Sequence, residues 1–206
     1  RRGADATHAN ASIGYGRYDT WQGSAGVSGG SGPFRGAVQI AGARSDGFNS
    51  IVNPANFSYD PDRDGYRKGS ISANGSFDWA AGQSLSAQYL HSRLDAQYDG
   101  GDAFDDRTIT TLESFGLSSV NRLGQAWTSR LSAGEGSDDS VSKGGFGDAP
   151  FRTRQRQYAW QNEFDAASAL SPWRLTRALA TLGVERREER VATDTDFDVT
   201  SRNTNA

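Results

Sequence analysis

Apolar and polar residues alternate along this chain in runs of roughly ten positions, the period-2 pattern of a strand with two unlike faces; helical periodicity is hard to find. In one run Phe34, Gly36, Val38, Ile40 and Gly42 share a face, and Arg35, Ala37, Gln39, Ala41 and Ala43 share the other. The run before it sets Trp21, Gly23, Ala25 and Val27 against Gln22, Ser24, Gly26 and Ser28. A later one sets Ile71, Ala73, Gly75, Phe77 and Trp79 against Ser70, Ser72, Asn74, Ser76 and Asp78. Tyr158, Trp160 and Phe164 alternate with Gln157, Ala159, Gln161 and Glu163, with Asn162 interrupting the apolar set. The pattern predicts about nine strands, at 6–16, 19–29, 33–45, 65–79, 83–97, 108–120, 125–136, 153–166 and 172–188.

The connections alternate in length. Tight, turn-forming stretches lie at Gly29–Gly32, Ala80–Gln83, Asn121–Gly124 and Ala167–Pro172, whereas 46–64, 98–107, 137–152 and the segment after 190 read as longer polar loops. Only Arg17-Tyr18-Asp19 is short at the long-loop end. Short turns at one end and long loops at the other are how outer-membrane β-barrels connect their strands. Phe34, Phe77, Trp79, Trp127, Phe164 and Trp173 all fall near the short turns, the level of an interfacial aromatic girdle.

An apolar face built of Ala, Gly and a few larger residues would pack a soluble core poorly, but lipid asks only for an uncharged exterior and paired backbone groups. The fold expected is therefore all-β: an antiparallel meander forming part of a transmembrane barrel, with its Ser, Gln, Asn and Thr positions facing a wet lumen. Two strands fit less well. His91 and Arg93 continue the face of Leu85, Ala87 and Tyr89, so either that strand rises above the bilayer or a bulge shifts it. Trp173 and Leu175 have the opposite parity to Ala178, Ala180, Leu182 and Val184.

Composition narrows the chemistry. The 206 residues include 25 Gly, no Cys and two His, which excludes disulfides and thiolate sites and leaves little for a His-based relay. No apolar run is long enough for a transmembrane helix. With 22 basic and 25 acidic residues interspersed, there is no general electrostatic reason to bind nucleic acid. No signal peptide opens the chain. Glu113, Glu135, Glu163 and Glu185 are spaced like acid/base pairs but are read as lumen-facing carboxylates, and Arg186–Arg190 as a charged strand end in water. The Gly-rich stretch 23–36 has no phosphate-loop pattern and no Ser elbow is present, so no enzyme is expected.

The informative loop is Asn53–Tyr66, where Asp60, Asp62 and Asp64 alternate before Gly65. Hard oxygen ligands at a tight turn suit Ca²⁺, although the twelfth position is Ile71 rather than the Glu of a helix–loop–helix calcium site. A second acidic group, Tyr98-Asp99 with Asp102, Asp105 and Asp106, occupies the next long loop at the same end. Two such loops side by side repel unless a cation, or Arg63 and Arg107, lies between them.

Arg1-Arg2-Gly3, Ala11–Gly16 with Tyr18-Asp19-Thr20, Arg44–Phe48, Asp62–Tyr66 and Leu182–Arg187 together resemble TonB-dependent outer-membrane receptors of the vitamin B12 (cobalamin) transporter type. The resemblance implies a 22-stranded barrel closed by an N-terminal plug, of which residues 1–206 would be the N-terminal barrel portion, without plug, TonB-binding segment or remaining strands. It implies a bacterial outer-membrane protein that imports cobalamin, energised by TonB through the plug, in contact with outer-membrane lipid and with loops ordered by calcium. Carried over by position, Asp62 and Asp64 match the paired acids of the calcium loop, Asp60 stands at an amide ligand's place, Tyr98-Asp99 matches a Tyr-Asp pair, and Asp105 matches an acid before the next strand. Asn49 replaces a further acid. The alternatives are a receptor for a siderophore or other metal chelate, and a self-contained β-sheet adhesion or binding domain, either a small barrel or a secreted β-sandwich, of which an odd strand count argues against the closed barrel.

Overall fold

The computed structural model describes residues 6–101, 105–165, 178–193 and 198–205. Its strands are β1 (His8–Gly16), β2 (Thr20–Ser31), β3 (Phe34–Phe48), β4 (Asp64–Ala80), β5 (Gln83–Gln97), β6 (Arg107–Arg122), β7 (Trp127–Gly144), β8 (Gly147–Asp165), β9 (Leu179–Thr193) and β10 (Asp198–Asn205). They form one antiparallel sheet in the order β1 to β10, each strand paired only with its neighbours in sequence. The all-β meander is thus as expected, with ten strands rather than nine. Among the described residues the number is even, so an odd count no longer speaks against a small closed barrel, but β1 and β10 do not pair and the sheet is open.

The largest departure from the sequence reading is at 137–152, expected as a long loop. Instead β7 and β8 run on to a two-residue turn at Gly145-Phe146, closed by the Gly144↔Gly147 pair. Arg186–Arg190 is likewise no strand end, because β9 stays paired on both sides to Ala192 and the segment after 190 leads into β10. The proposed turn 167–172, Trp173 and Leu175 lie outside the described residues.

Pairing fixes the faces. Directly opposed residues of an antiparallel sheet share a side, so Val27↔Val38↔Ala73↔Tyr89↔Phe115 is one row of the outward face. Gly26↔Gln39↔Ser72 belongs to a row of the inner face. Among the described residues no hydrophobic side chain is buried, and Val38, Ile40, Leu131 and Trp160 stand 44–52% exposed on the outward face. A sheet that leaves such a face bare has no core of its own; its apolar surface needs hydrocarbon.

Near the short turns the aromatic residues meet as expected: Phe34 stacks on Phe77 at 4.6 Å between ring centroids, and Trp127 on Phe164 at 5.7 Å. The interruption at Asn162 has a reason. Its Oδ1 accepts a 3.0 Å hydrogen bond from Trp127 Nε1, while Trp160 Nε1 donates to Ser129 Oγ at 2.9 Å, so both indole N–H groups have partners on the outward face. His91 and Arg93 are explained by height, since β4 and β5 pair without a shift from Tyr66↔Ala96 to Asp78↔Ser84.

The outward face turns from apolar to charged at Arg44, Arg67, His91, Glu113, Glu135, Arg156 and Arg186 on β3 to β9. The row of Arg44 reaches Pro150 on β8, whereas Arg186 lies opposite Tyr158, so this boundary descends eight residues over six strand steps. At about 3.3 Å per residue and about 4.8 Å per step, a level boundary requires strands tilted by about 40°, the tilt of transmembrane barrels. Phe34 to Gly42 then spans roughly 20 Å of height, close to the ~25 Å apolar band of such barrels. The inner face is polar but not uniformly so, because Leu90, Leu94 and Leu112 interrupt its Ser and Gln.

The two faces predict opposite responses to charge. Val38→Arg is expected to cost about 2–4 kcal/mol of folding stability in lipid vesicles, and its inward neighbour Gln39→Arg less than about 1 kcal/mol. Denaturant titration of the two variants measures the difference.

Candidate functional site

At the long-loop end, a bulge sets up the site. The β3–β4 register shifts between Ser45 and Phe48, and Gly47 adopts φ +70° there with Asp64 O lying 1.8 Å from where a Cβ would be. Only glycine lets the backbone of β3 press so closely on the start of β4. Ser45 holds the bulge: its hydroxyl donates to Tyr18 O at 3.1 Å, accepts from Gly47 N at 3.2 Å and meets Thr20 Oγ1 at 2.8 Å. The short first turn, with Tyr18 at φ 60° and Asp19 at φ 52°, is thereby tied to the loop beside it.

Loop 49–63 is folded by its own side chains. Asn49 Oδ1 accepts from Ile51 N at 2.9 Å while its Nδ2 donates to Asp60 O at 2.7 Å. Ser50 donates to Asp64 Oδ2 twice, from its amide at 3.0 Å and its hydroxyl at 2.6 Å. Gln97 joins this loop to the next: its Oε1 accepts from Gly65 N at 3.0 Å and its Nε2 donates to Asp105 Oδ1 at 2.6 Å.

The result brings three of the sequence-derived candidates together. Asp62, Asp64 and Asp99 each place a carboxylate oxygen within 4.8 Å of the other two. Ca²⁺ binds oxygen at 2.3–2.6 Å, so two oxygens on one ion stand up to about 5 Å apart and this spacing fits. Both carboxylate oxygens of Asp99 are buried without a hydrogen bond of ordinary geometry. Burial pushes the Asp99 carboxyl above its usual pKa and Asp64 adds to this, with the Ile51 amide and Ser50 hydroxyl offsetting only part. Asp62 is raised as well, first by burial and then by Asp60, Asp64, Asp99 and Asp105. Three carboxylates so placed are a donor set of the kind that suits a hard divalent cation.

The other candidates stand apart from the three. Asp60 lies near enough to raise Asp62 but offers its carbonyl to Asn49. Asp105 is committed to Gln97 and Arg107, which hold its carboxyl below the usual range. Tyr98 is 41% exposed. Neither Arg63 nor Arg107 bridges the acids; Arg107 pairs with Asp95 and Asp105. Asn49, read as a substitute ligand, spends its oxygen on the loop backbone.

Sequence reasoning missed Gln97, Ser45 and Ser50. The signal was present only for Gln97, a side chain with both donor and acceptor directly before Tyr98-Asp99. Two of the four glutamates were assigned to the wrong face. Glu113 and Glu135 point outward, paired with His91 at 2.9 Å and with Arg156 at 2.7 Å, while Glu163 faces inward near Arg130 at 3.5 Å. Glu185 shares the inner face with Ala159.

With ladder, tilt and bare apolar face established, the backbone can be set beside solved structures. Over 99% of this chain and 45% of theirs, the coordinates match the ferric preacinetobactin receptor BauA of Acinetobacter baumannii at a TM-score of 0.53 and 12% identity. A loop L8 deletion mutant of OmpT, an outer membrane protein of Vibrio cholerae, matches 96% of the chain and 61% of its own at a TM-score of 0.46 and 10% identity. The fold is that of an outer-membrane β-barrel wall. The chain spans less than two thirds of either protein. No protein-family model and no curated protein matches it.

The raised carboxyls set the pH response of the cation-free loops. Because Asp62 and Asp99 hold protons more tightly folded than unfolded, their contribution to loop stability is greatest at acid pH and is lost as pH rises through their raised pKa values. Asp105 acts oppositely, losing its contribution as pH falls through its lowered pKa. In chelator, amide exchange of residues 49–64, corrected for intrinsic rates, is expected to be slower at acid pH than once the pH has risen past the raised pKa values. Asp62→Asn should flatten this difference.

Proposed function

We propose that the chain is the N-terminal barrel portion of a bacterial outer-membrane receptor that imports a large, scarce ligand, with Ca²⁺ ordering its extracellular loops. The observation that carries this reading is the meeting of Asp62 and Asp64, at the end of one loop and the start of β4, with Asp99 from the next loop, whose two carboxylate oxygens are buried without a hydrogen bond of ordinary geometry. Asp62, Asp64 and the Tyr98-Asp99 pair occupy the positions at which the chain resembles the calcium loops of cobalamin receptors, which supports cobalamin as the ligand. Ca²⁺ bound between loops 49–63 and 98–106 cancels their mutual repulsion and fixes one arrangement in advance, so that less ordering remains when the ligand arrives. Uptake would be energised by TonB through a plug inside the barrel, against the concavity of about 1120 Å³ lined by Gln88, Leu90, Leu112, Ser114, Ser132 and Gln157.

A second reading, a receptor for an iron chelate, has in its favour the backbone likeness to a ferric preacinetobactin receptor. It gives the acid cluster no role. Calorimetry on the intact protein in detergent should show saturable Ca²⁺ binding that weakens at least tenfold, about 1.4 kcal/mol, in Asp62→Asn and in Asp99→Asn. Cyanocobalamin should bind more tightly with Ca²⁺ than with chelator. Unchanged Ca²⁺ affinity in both variants refutes the cation site, and selective binding of a ferric siderophore in place of cobalamin establishes the second reading.

A further inference from the structure

The outward face of β7–β10 just above the apolar belt is crowded with arginine, and nothing in the loop site or the lumen uses it. Arg152, Arg154 and Arg156 succeed one another on β8, with Arg186 and Arg190 on β9 and Arg202 on β10. By register the carboxylates among them on this face are Glu135, Asp139, Glu188 and Asp198, four against six arginines. One row reads Glu135↔Arg156↔Glu188↔Arg202 across four strands, and in the next Arg154 lies directly opposite Arg190. Like charges directly opposed across a sheet are destabilising.

We propose that this surface binds the phosphorylated head groups of an anionic lipid in the outer leaflet of the membrane that the barrel crosses. The inference rests on the barrel reading above and assigns a ligand to its outside. Geometry supports it in two ways. First, the arginines meet their acids by Nε rather than by the terminal fork: Arg154 Nε lies 3.3 Å and Arg156 Nε 2.7 Å from the two oxygens of Glu135, Arg202 Nε lies 3.8 Å from Glu188, and Arg152 meets Asp139 in the same way. Among the described residues no carboxylate engages the terminal nitrogens of these four. Their side chains are 44–69% exposed, leaving planar donor pairs of the shape that grips phosphate oxygens.

Second, the patch sits at head-group height. Arg186 is directly opposite Tyr158, the uppermost aromatic of the belt on β8, and Arg156, Arg154 and Arg152 follow at steps of about 6.6 Å along the strand. An occupant with phosphates on the arginines has Tyr158, Trp160, Leu182 and Val184 beneath it, where acyl chains would lie. A free anion would use the first feature and not the second. The matching level of β3 and β4 carries Arg44 and Arg67 alone, so lipid should be held on one side of the wall rather than all round it.

The test uses the intact protein in mild detergent, with bisphosphorylated lipid A as the probe and native mass spectrometry as the readout. Lipid A is expected to be retained at least tenfold better than its dephosphorylated form, less so at high salt. Retention should fall at least tenfold in Arg154→Gln/Arg156→Gln/Arg202→Gln, to a smaller extent in Arg202→Gln alone, and not at all in Arg187→Gln on the inner face of β9. Inorganic phosphate at equal phosphate concentration should not displace it. Phosphate-blind binding, displacement by inorganic phosphate, or full retention in the triple variant, in a protein whose circular dichroism shows a folded β-sheet, overturns this surface alone. A chain that forms no β-sheet in detergent overturns the barrel reading and this surface with it.

Discussion

Backbone hydrogen bonding is the constraint on which the rest of this structure depends. One face of the sheet is apolar and covered by no other part of the described chain, so any peptide group turned toward it would go unpaired in hydrocarbon at a cost of several kcal/mol. The ladder answers this by continuity. From β1 to β10 each strand pairs with the next, and the register shifts only between Ser45 and Phe48 and between Asp78 and Ala80, both at strand ends. With the backbone satisfied internally, side chains as small as Ala73 and Gly75 suffice on the outside, which explains a composition too poor in large aliphatics for a packed core.

The same ladder sets where charge is allowed. Because the strands are tilted, the level at which the outward face becomes charged moves along the register, from Arg44 on β3 to Arg186 on β9, and above it β7, β8 and β9 continue as paired strands with both faces in water. There ion pairs replace aromatic stacking: Glu135 with Arg154 and Arg156, Asp139 with Arg152. Loop 49–63 and residues 98–101 rise from strand ends held by Ser45, Gly47 and Gln97, so the three acids are brought together by hydrogen-bonded strand termini rather than by attraction. Asp64 adds to the raised proton affinity of both Asp62 and Asp99, and Asp99 to that of Asp62. The scaffold opposes a repulsion that a cation would remove.

Much of this was legible in the residues. Strands β1 to β6 fall within three residues of the boundaries that alternation predicts, and 83–97 coincides, because one face of each meets lipid and the other water. Alternation failed at Ser137–Pro150, where Asp138, Asp139 and Ser140 lie above the belt and neither face is apolar; a strand wet on both sides reads as a loop. For the same reason Glu113 and Glu135 were placed inside, since parity alone cannot say that a strand has left the bilayer. Within the site, the acidic spacing pointed to Asp62, Asp64 and Asp99, but the commitment of Asp105 to Gln97 and Arg107 depends on contacts between strand ends that no local pattern encodes.

The most direct test of the two-faced sheet uses the absence of cysteine from the chain. Single cysteines at Val38, Gln39, Ala73 and Asn74, each carrying a nitroxide in protein reconstituted into vesicles, report whether lipid-soluble oxygen or a water-soluble paramagnetic complex reaches the site. Oxygen should dominate at Val38 and Ala73 and the aqueous complex at Gln39 and Asn74. Equal access to the aqueous complex at all four positions would contradict the account.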